Sequence, residues 1–213
     1  MKINNKKTQL LCISSRSDSD IMSYINASSE RIISSESLKI LGFTFGTKPN
    51  ASAHISKVEQ KFGCKIWTLR CLKKARIENG RLLELFNVLL RPVIEYASNA
   101  YHPLLTGELS DRIENLQARA MKTIYGWNES YESLLTRTGQ STLRERRERN
   151  FDSFAKKTAM NPRYKDWFPK VPNTGHNTRS NTTYHEEFAR TERMRNSPVF
   201  LMRRRLNQLN AEN

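Results

Sequence analysis

Apolar residues recur along this chain with two different periods, and the change between them falls near residue 50. Before it, Leu41, Phe43 and Phe45 alternate with Gly42 and Thr44, a repeat of two that predicts a strand with one apolar face. Thr8 to Ser14 reads as a buried strand. Ile21 to Ile25 and Arg31 to Ile33 flank Asn26-Ala27-Ser28-Ser29, which reads as a hairpin turn. Residues 1–46 are therefore expected to form a small antiparallel β unit, ended by Gly46 to Asn50 with Pro49.

From Ser52 the repeat lengthens. Ile55, Val58, Phe62, Ile66, Leu69 and Leu72 recur at three or four, predicting an amphipathic helix that Asn79-Gly80 stops. A second helix carries Leu82, Leu83, Leu85, Phe86, Leu89 and Leu90 into Pro92, whose ring removes an N–H and clashes with the preceding turn, so a kink or break is expected there. Leu109, Ile113, Leu116, Ala120 and Ile124 line one face of a third helix, which Gly126 ends. A shorter helix with Tyr131, Leu134 and Leu135 ends at Gly139. Ser141 caps the next, which carries Leu143, Phe151 and Phe154 and stops at Asn161-Pro162. Pro169, Pro172, Asn173 and Gly175 mark a linker. Tyr184 to Leu209 is basic and weakly periodic, a tail expected to be poorly ordered without a partner. The fold class expected is α+β, mostly α: a β unit over 1–46, a helical domain over 51–161, and a linker with a basic, partly disordered tail over 162–213.

Composition narrows the function. The 213 residues hold 36 Lys plus Arg against 21 Asp plus Glu, a formal net charge of +15 at pH 7. Such an excess draws polyanions, and phosphate backbones are the commonest intracellular ones. No apolar run is long enough for a membrane span and the first twenty or so residues lack the apolar centre of a signal peptide, so an intracellular protein without a membrane partner is expected, in nucleus or cytoplasm. Cys12, Cys64 and Cys71 are odd in number and read as buried reduced thiols, while His54, His102, His176 and His185 are scattered singly; no metal site is expected.

Four short blocks in fixed order carry a more specific signal. They are Lys2 to Thr8, Leu38 to Phe43, Arg91 to Ser98, and Leu116 to Ala120 running on to Ile124-Tyr125-Gly126. Their order and spacing resemble the last part of the polymerase region in non-LTR (LINE-like) retrotransposon reverse transcriptases. There an Ile-Asn-x-x-Lys-Thr segment closes the palm, a Leu-Gly strand forms the primer grip, and a helical thumb follows with a Pro-x-x-x-Tyr-Ala helix. Ile3, Asn4, Lys7 and Thr8 match the first, Leu41 and Gly42 the second, and Pro92, Tyr96 and Ala97 the third. The resemblance is good from about Lys2 to Asn161 and thinner beyond Asn173.

The resemblance implies an RNA-directed DNA polymerase as parent and template–primer nucleic acid as partner. In that family the magnesium-holding carboxylates come from a Phe/Tyr-x-Asp-Asp turn and an earlier aspartate, all before the lysine-threonine block. This sequence begins at that block, so it is expected to hold no catalytic residue and no metal of its own. Asp18 and Asp20, its one close aspartate pair, do not match the family turn and read as a solvated loop. A residual role for Lys7 is implied by the family, whose corresponding lysine stands near the leaving pyrophosphate; a basic surface residue at a strand end is the alternative.

Binding candidates follow from charge at helical spacing. Lys57, Lys61 and Lys65 recur at four and form one stripe, and Arg70, Lys73, Lys74 and Arg76 continue the positive run. A solvated face is the bland reading; thumb helices that lie along a template–primer backbone make phosphate contact the implied one. Leu41 and Gly42 are primer-grip-like, because glycine lets another backbone approach closely. Arg144, Arg146, Arg147 and Arg149 interleave with Glu145 and Glu148 and read as ion pairs, and Arg203-Arg204-Arg205 as a further phosphate contact or an import patch. The expected function is that of a reverse-transcriptase remnant that binds nucleic-acid backbone through its thumb without polymerase activity. The alternatives are a helical protein-interaction module derived from a mobile element, touching a missing palm domain or another protein, and an incomplete gene model of a full reverse transcriptase.

Overall fold

The computed structural model describes residues 8–13, 24–27, 30–47, 50–171 and 182–211. Four short strands come first: β1 (Tyr24–Ala27), β2 (Glu30–Ile33), β3 (Ser37–Ile40) and β4 (Phe43–Gly46). β1 pairs antiparallel with β2, with Ile25 opposite Ile32. β3 pairs with β4, with Ile40 opposite Phe43. These are two separate two-stranded sheets. The strand predicted over Thr8 to Ser14 does not form among its described residues: Leu10 makes one parallel bridge with Ser34, and its neighbours are half-buried or exposed. A single bridge supplies too few ladder bonds to hold a strand. Asn26 and Ala27 of the turn predicted at residues 26–29 belong to β1, and residues 28 and 29 lie outside the described residues.

Leu41 and Gly42 correct the sequence reading. They are the turn between β3 and β4, not part of one strand, and both have positive φ, 47° and 84°. Positive φ at both central residues is the signature of the two-residue turn that matches the twist of a hairpin. The apolar alternation of Leu41, Phe43 and Phe45 simply runs across it.

The helices are α1 (Ser52–Lys74), α2 (Asn79–Leu85), α3 (Arg91–Glu95), α4 (Ser98–Tyr101), α5 (Gly107–Tyr125), α6 (Tyr131–Thr138), α7 (Leu143–Met160), α8 (Glu192–Arg195) and α9 (Pro198–Ala211). Asn79-Gly80 opens α2 and does not stop α1, whose end comes at Lys74 where Arg76 turns the chain with φ 60°. Between α2 and α3 lies a π-helical turn, Phe86–Leu90, in which the Arg91 N–H reaches back five residues to the Phe86 carbonyl. Pro92 lacks an N–H to continue the ordinary ladder, and the wider turn directly before it is the expected break. Thr106 caps α5 by accepting from the Leu109 N–H, and Gly126 ends it with φ 111°. The cap of α7 is Thr142, one residue after Ser141: Thr142-Leu143-Arg144-Glu145 has the capping-box spacing, and the Glu145 N–H donates to the threonine hydroxyl at 3.1 Å.

Contacts divide the described residues into two compact units. One comprises the described residues through Ala97 together with Leu105–Gln140; the other comprises Ser98–Leu104 and the described residues from Ser141 onward. In the first, α1 packs chiefly on α5. Ile55, Val58, Phe62, Ile66 and Leu69 bury one side of α1, and Ile113, Ala120 and Ile124 the facing side of α5. Phe62 is fully buried, and its loss to alanine would cost about 3–5 kcal/mol.

The second unit corrects the expectation of a weakly ordered tail over its last described stretch. Pro198–Ala211 is helical and buries Met202 and Leu206 against Phe151, Ala155 and Phe168. The side chain of Asn207 acts as a strand partner for Tyr184, accepting from its N–H and donating to its carbonyl, both at 2.9 Å. Residues 172–181 of the predicted linker lie outside the described residues. Among the described residues no helix is long and apolar enough to cross a membrane.

Candidate nucleic-acid interface

A groove of about 710 Å³ runs beside α1 in the first unit. It is lined from α1 by His54, Val58, Lys61, Cys64 and Lys65, from the π-helical turn and α3 by Val88, Leu89, Pro92 and Val93, and by Gly42 and Tyr96. Its walls follow from the local structure. The π-helical turn swings Val88 and Leu89 outward, and both are exposed.

The end of the groove joins two of the blocks singled out in the sequence. The Tyr96 hydroxyl donates to the Leu41 carbonyl at 2.7 Å. A Cβ added to Gly42 would meet Tyr96 Cε1 at 2.7 Å, so glycine is needed for the ring to lie on the turn as well as for the positive φ. Leu41 itself is 89% exposed.

His54 ties the same elements together, and sequence reasoning passed it over as one of four scattered histidines. Its Nδ1 accepts from the Thr44 N–H of β4 at 3.4 Å, its ring stacks on Phe43 at 4.5 Å, and the backbone of Tyr96 lies close enough to act on its charge. Burial is the main reason its pKa is lowered, with Lys61 adding to the effect, so the ring is held neutral and can accept. The available signal was its position four before Val58 on the apolar row of α1.

The predicted binding residues do not share one face. Lys57, Lys61 and Lys65 are exposed and follow at about 6 Å along the groove side of α1. Lys65 also donates to the Leu89 carbonyl at 3.2 Å, which anchors it to the π-helical turn. Arg70 and Lys74 are exposed on a different side of the helix. Lys73 is drawn to Asn79 Oδ1 at 2.6 Å, and Arg76 lies past the helix end. Lys7, Asp18 and Asp20 lie outside the described residues.

The charge along α1 is one-sided. Its sole acidic residue, Glu59, is held by Arg112 of α5, whose Nε donates to it at 2.9 Å and whose Nη2 binds the second oxygen. The six Lys and Arg residues of α1 are thus left without an acid of their own helix to neutralise them.

Several arginines of the other two clusters are engaged within the fold. Arg203 is buried and donates to the carbonyl of Trp167 at 2.7 Å and to Glu187 at 3.2 Å; Arg205 grips Asp152. Arg147 is buried on α7, and Arg149 donates to Ser141 Oγ. The thiols are also not where expected: Cys64 is exposed and Cys12 and Cys71 half-buried, because Cys64 faces the groove side of α1 and not the row of Phe62 and Ile66. Among the described residues no group of three or more His, Cys, Asp or Glu side chains converges to hold a metal ion. No protein-family model, curated protein or solved structure matches the chain.

Proposed function

We propose that this chain binds the backbone of nucleic acid along the groove side of α1, as the thumb of a LINE-like reverse transcriptase would, and does not itself extend a primer. The observation that carries the reading is the row Lys57, Lys61 and Lys65, of which Lys61 and Lys65 line a groove shared with Gly42 and Tyr96, the latter bonded to the Leu41 carbonyl. Three ammonium groups on one helical line, with Glu59 taken up by Arg112, suit a regular line of phosphates and carry little sequence information. The metal-holding Asp-Asp turn of such polymerases does not occur in these 213 residues.

The apolar walls of the groove favour a second reading, contact with another protein. Salt separates the two, because phosphate binding weakens linearly in log–log terms at a slope of about 0.9 per phosphate on B-DNA, while apolar contact hardly responds. Lys57→Gln with Lys61→Gln is the test, since both positions are exposed and glutamine is nearly as good a helix former. The double variant should weaken binding to all duplex sequences alike and lower the salt slope by up to about two. An unchanged slope with helicity intact by circular dichroism would overturn the nucleic-acid reading.

A further inference from the structure

Trp67 lies on the far side of α1 from the groove. At 100° per residue, the row Trp67, Arg70 and Lys74 is displaced by roughly 150° around the helix axis from the row Lys57, Lys61 and Lys65. The indole is 66% exposed, and Arg70 and Lys74 are exposed beside it. Gly63, four residues before Trp67, adds a second observation. It is in the middle of a 23-residue helix, and a Cβ built there would meet nothing within 4 Å. Glycine lowers helix stability relative to alanine, and neither a positive φ nor a close neighbour calls for it here. Helical side chains lean over the turn before them, so bare backbone at Gly63 leaves a flat shelf next to the indole.

We propose that this face takes an unpaired nucleic-acid strand, with a base stacked on Trp67 and its flanking phosphates on Arg70 and Lys74. The proposal rests on the nucleic-acid reading above and goes beyond it by naming a single strand and a second face. In a duplex the faces of the bases are covered by their neighbours, so only an unpaired base can stack on an indole, and stacking tolerates any sequence because every base has a π face. An acidic peptide would satisfy the two cations but supply no planar group for the ring. A second copy of the chain, at net charge +15, would bring like charges together.

The full chain with Trp127→Phe and Trp167→Phe keeps Trp67 as its one tryptophan of three. A short oligothymidylate should quench its fluorescence, and a blunt duplex should not. In the otherwise unchanged chain, Trp67→Ala should weaken oligothymidylate binding about tenfold, the effect of one lost base stack, and leave duplex binding unaltered; Trp67→Phe should recover part of the loss. Oligothymidylate that binds without quenching Trp67, or an equal loss on both ligands, would overturn the proposal. So would a blue shift of Trp67 emission that grows with protein concentration alone, which would mean that a second copy covers this face. Failure of the groove reading is separable: it shows as unchanged duplex binding in the Lys57→Gln, Lys61→Gln variant, whatever Trp67 does.

Discussion

Tyr96 holds Leu41 by its carbonyl, with the phenol oxygen 2.7 Å from it, and so pins a hairpin turn to the end of α3 from 55 residues away in sequence. Leu41 and the residue that follows Tyr96 both sit on unusual backbone. Leu41 has φ 47°, where a leucine is strained, and Ala97, directly after Tyr96, has φ 58°.

Gly42→Ala should therefore do more harm than an ordinary turn substitution. The methyl group would meet the Tyr96 ring, and the φ of 84° would cost an alanine about 1–2 kcal/mol by itself. Urea unfolding should show a loss above that figure in the native background and a smaller loss in Tyr96→Ala, where the ring is gone. Equal losses in both backgrounds would mean that the ring moves aside freely.

A second prediction concerns pH. Burial first, then the Arg147 and Arg205 cations, lower the pKa of His102 from its ordinary value to about 4, with Asp152 partly opposing. The folded unit keeps this ring neutral, whereas the unfolded chain takes a proton near pH 6.5. Between those values the unfolded state binds more protons, so this contribution to stability is complete above about 6.5 and is lost as pH falls toward about 4. His54 is lowered as well and acts in the same direction in the other unit. His102→Gln should accordingly lose less Tm than the native chain between about pH 7 and about pH 5. The same fall in both would show that His102 does not contribute.

What the sequence made legible was the local part. α5 could be read from its apolar row and the stop at Gly126, and the lysine row could be read because i, i+4 spacing fixes a face whatever surrounds it. Four features escaped. The Leu41-Gly42 turn hid inside an apolar alternation that continues across it, and nothing local marks a leucine for positive φ. His54 gains its role from Thr44 and Phe43, neither adjacent in sequence. Arg70 and Lys74 were grouped with Lys57, Lys61 and Lys65 because a count of charges ignores their angle about the helix. The last helix escaped for a related reason: its arginines look solvated until Asp152, Glu187 and the Trp167 carbonyl are brought to them.

Arg205 tests that structural assignment. Its Nε and Nη2 donate to the two oxygens of Asp152 at 2.8 and 2.7 Å, joining α9 to α7. A forked pair at partial burial is worth about 1–2 kcal/mol after screening. Arg205→Lys keeps the charge and loses the fork, so it should lower the stability of the second unit by about 1 kcal/mol while leaving nucleic-acid affinity and its salt slope unchanged. Reduced affinity at native stability would instead make Arg205 a phosphate contact.

Gly63→Ala sets stability against binding at a single position. Space is open there and the backbone is helical, so the methyl group enters without a clash. Alanine restricts the unfolded chain and favours the helix, a gain of about 0.5–1 kcal/mol, which for a chain of this length raises Tm by about 1–4 °C. Folding alone would thus favour alanine at residue 63. If the bare backbone beside Trp67 receives a nucleotide, the same methyl group occupies part of the shelf, and oligothymidylate affinity should fall as Tm rises. Calorimetry and fluorescence titration on the one variant measure both. A rise in Tm with undiminished single-strand affinity would show that a stacked base does not use the shelf, and a fall in Tm would show that the helix at Gly63 is not the regular, open one described here.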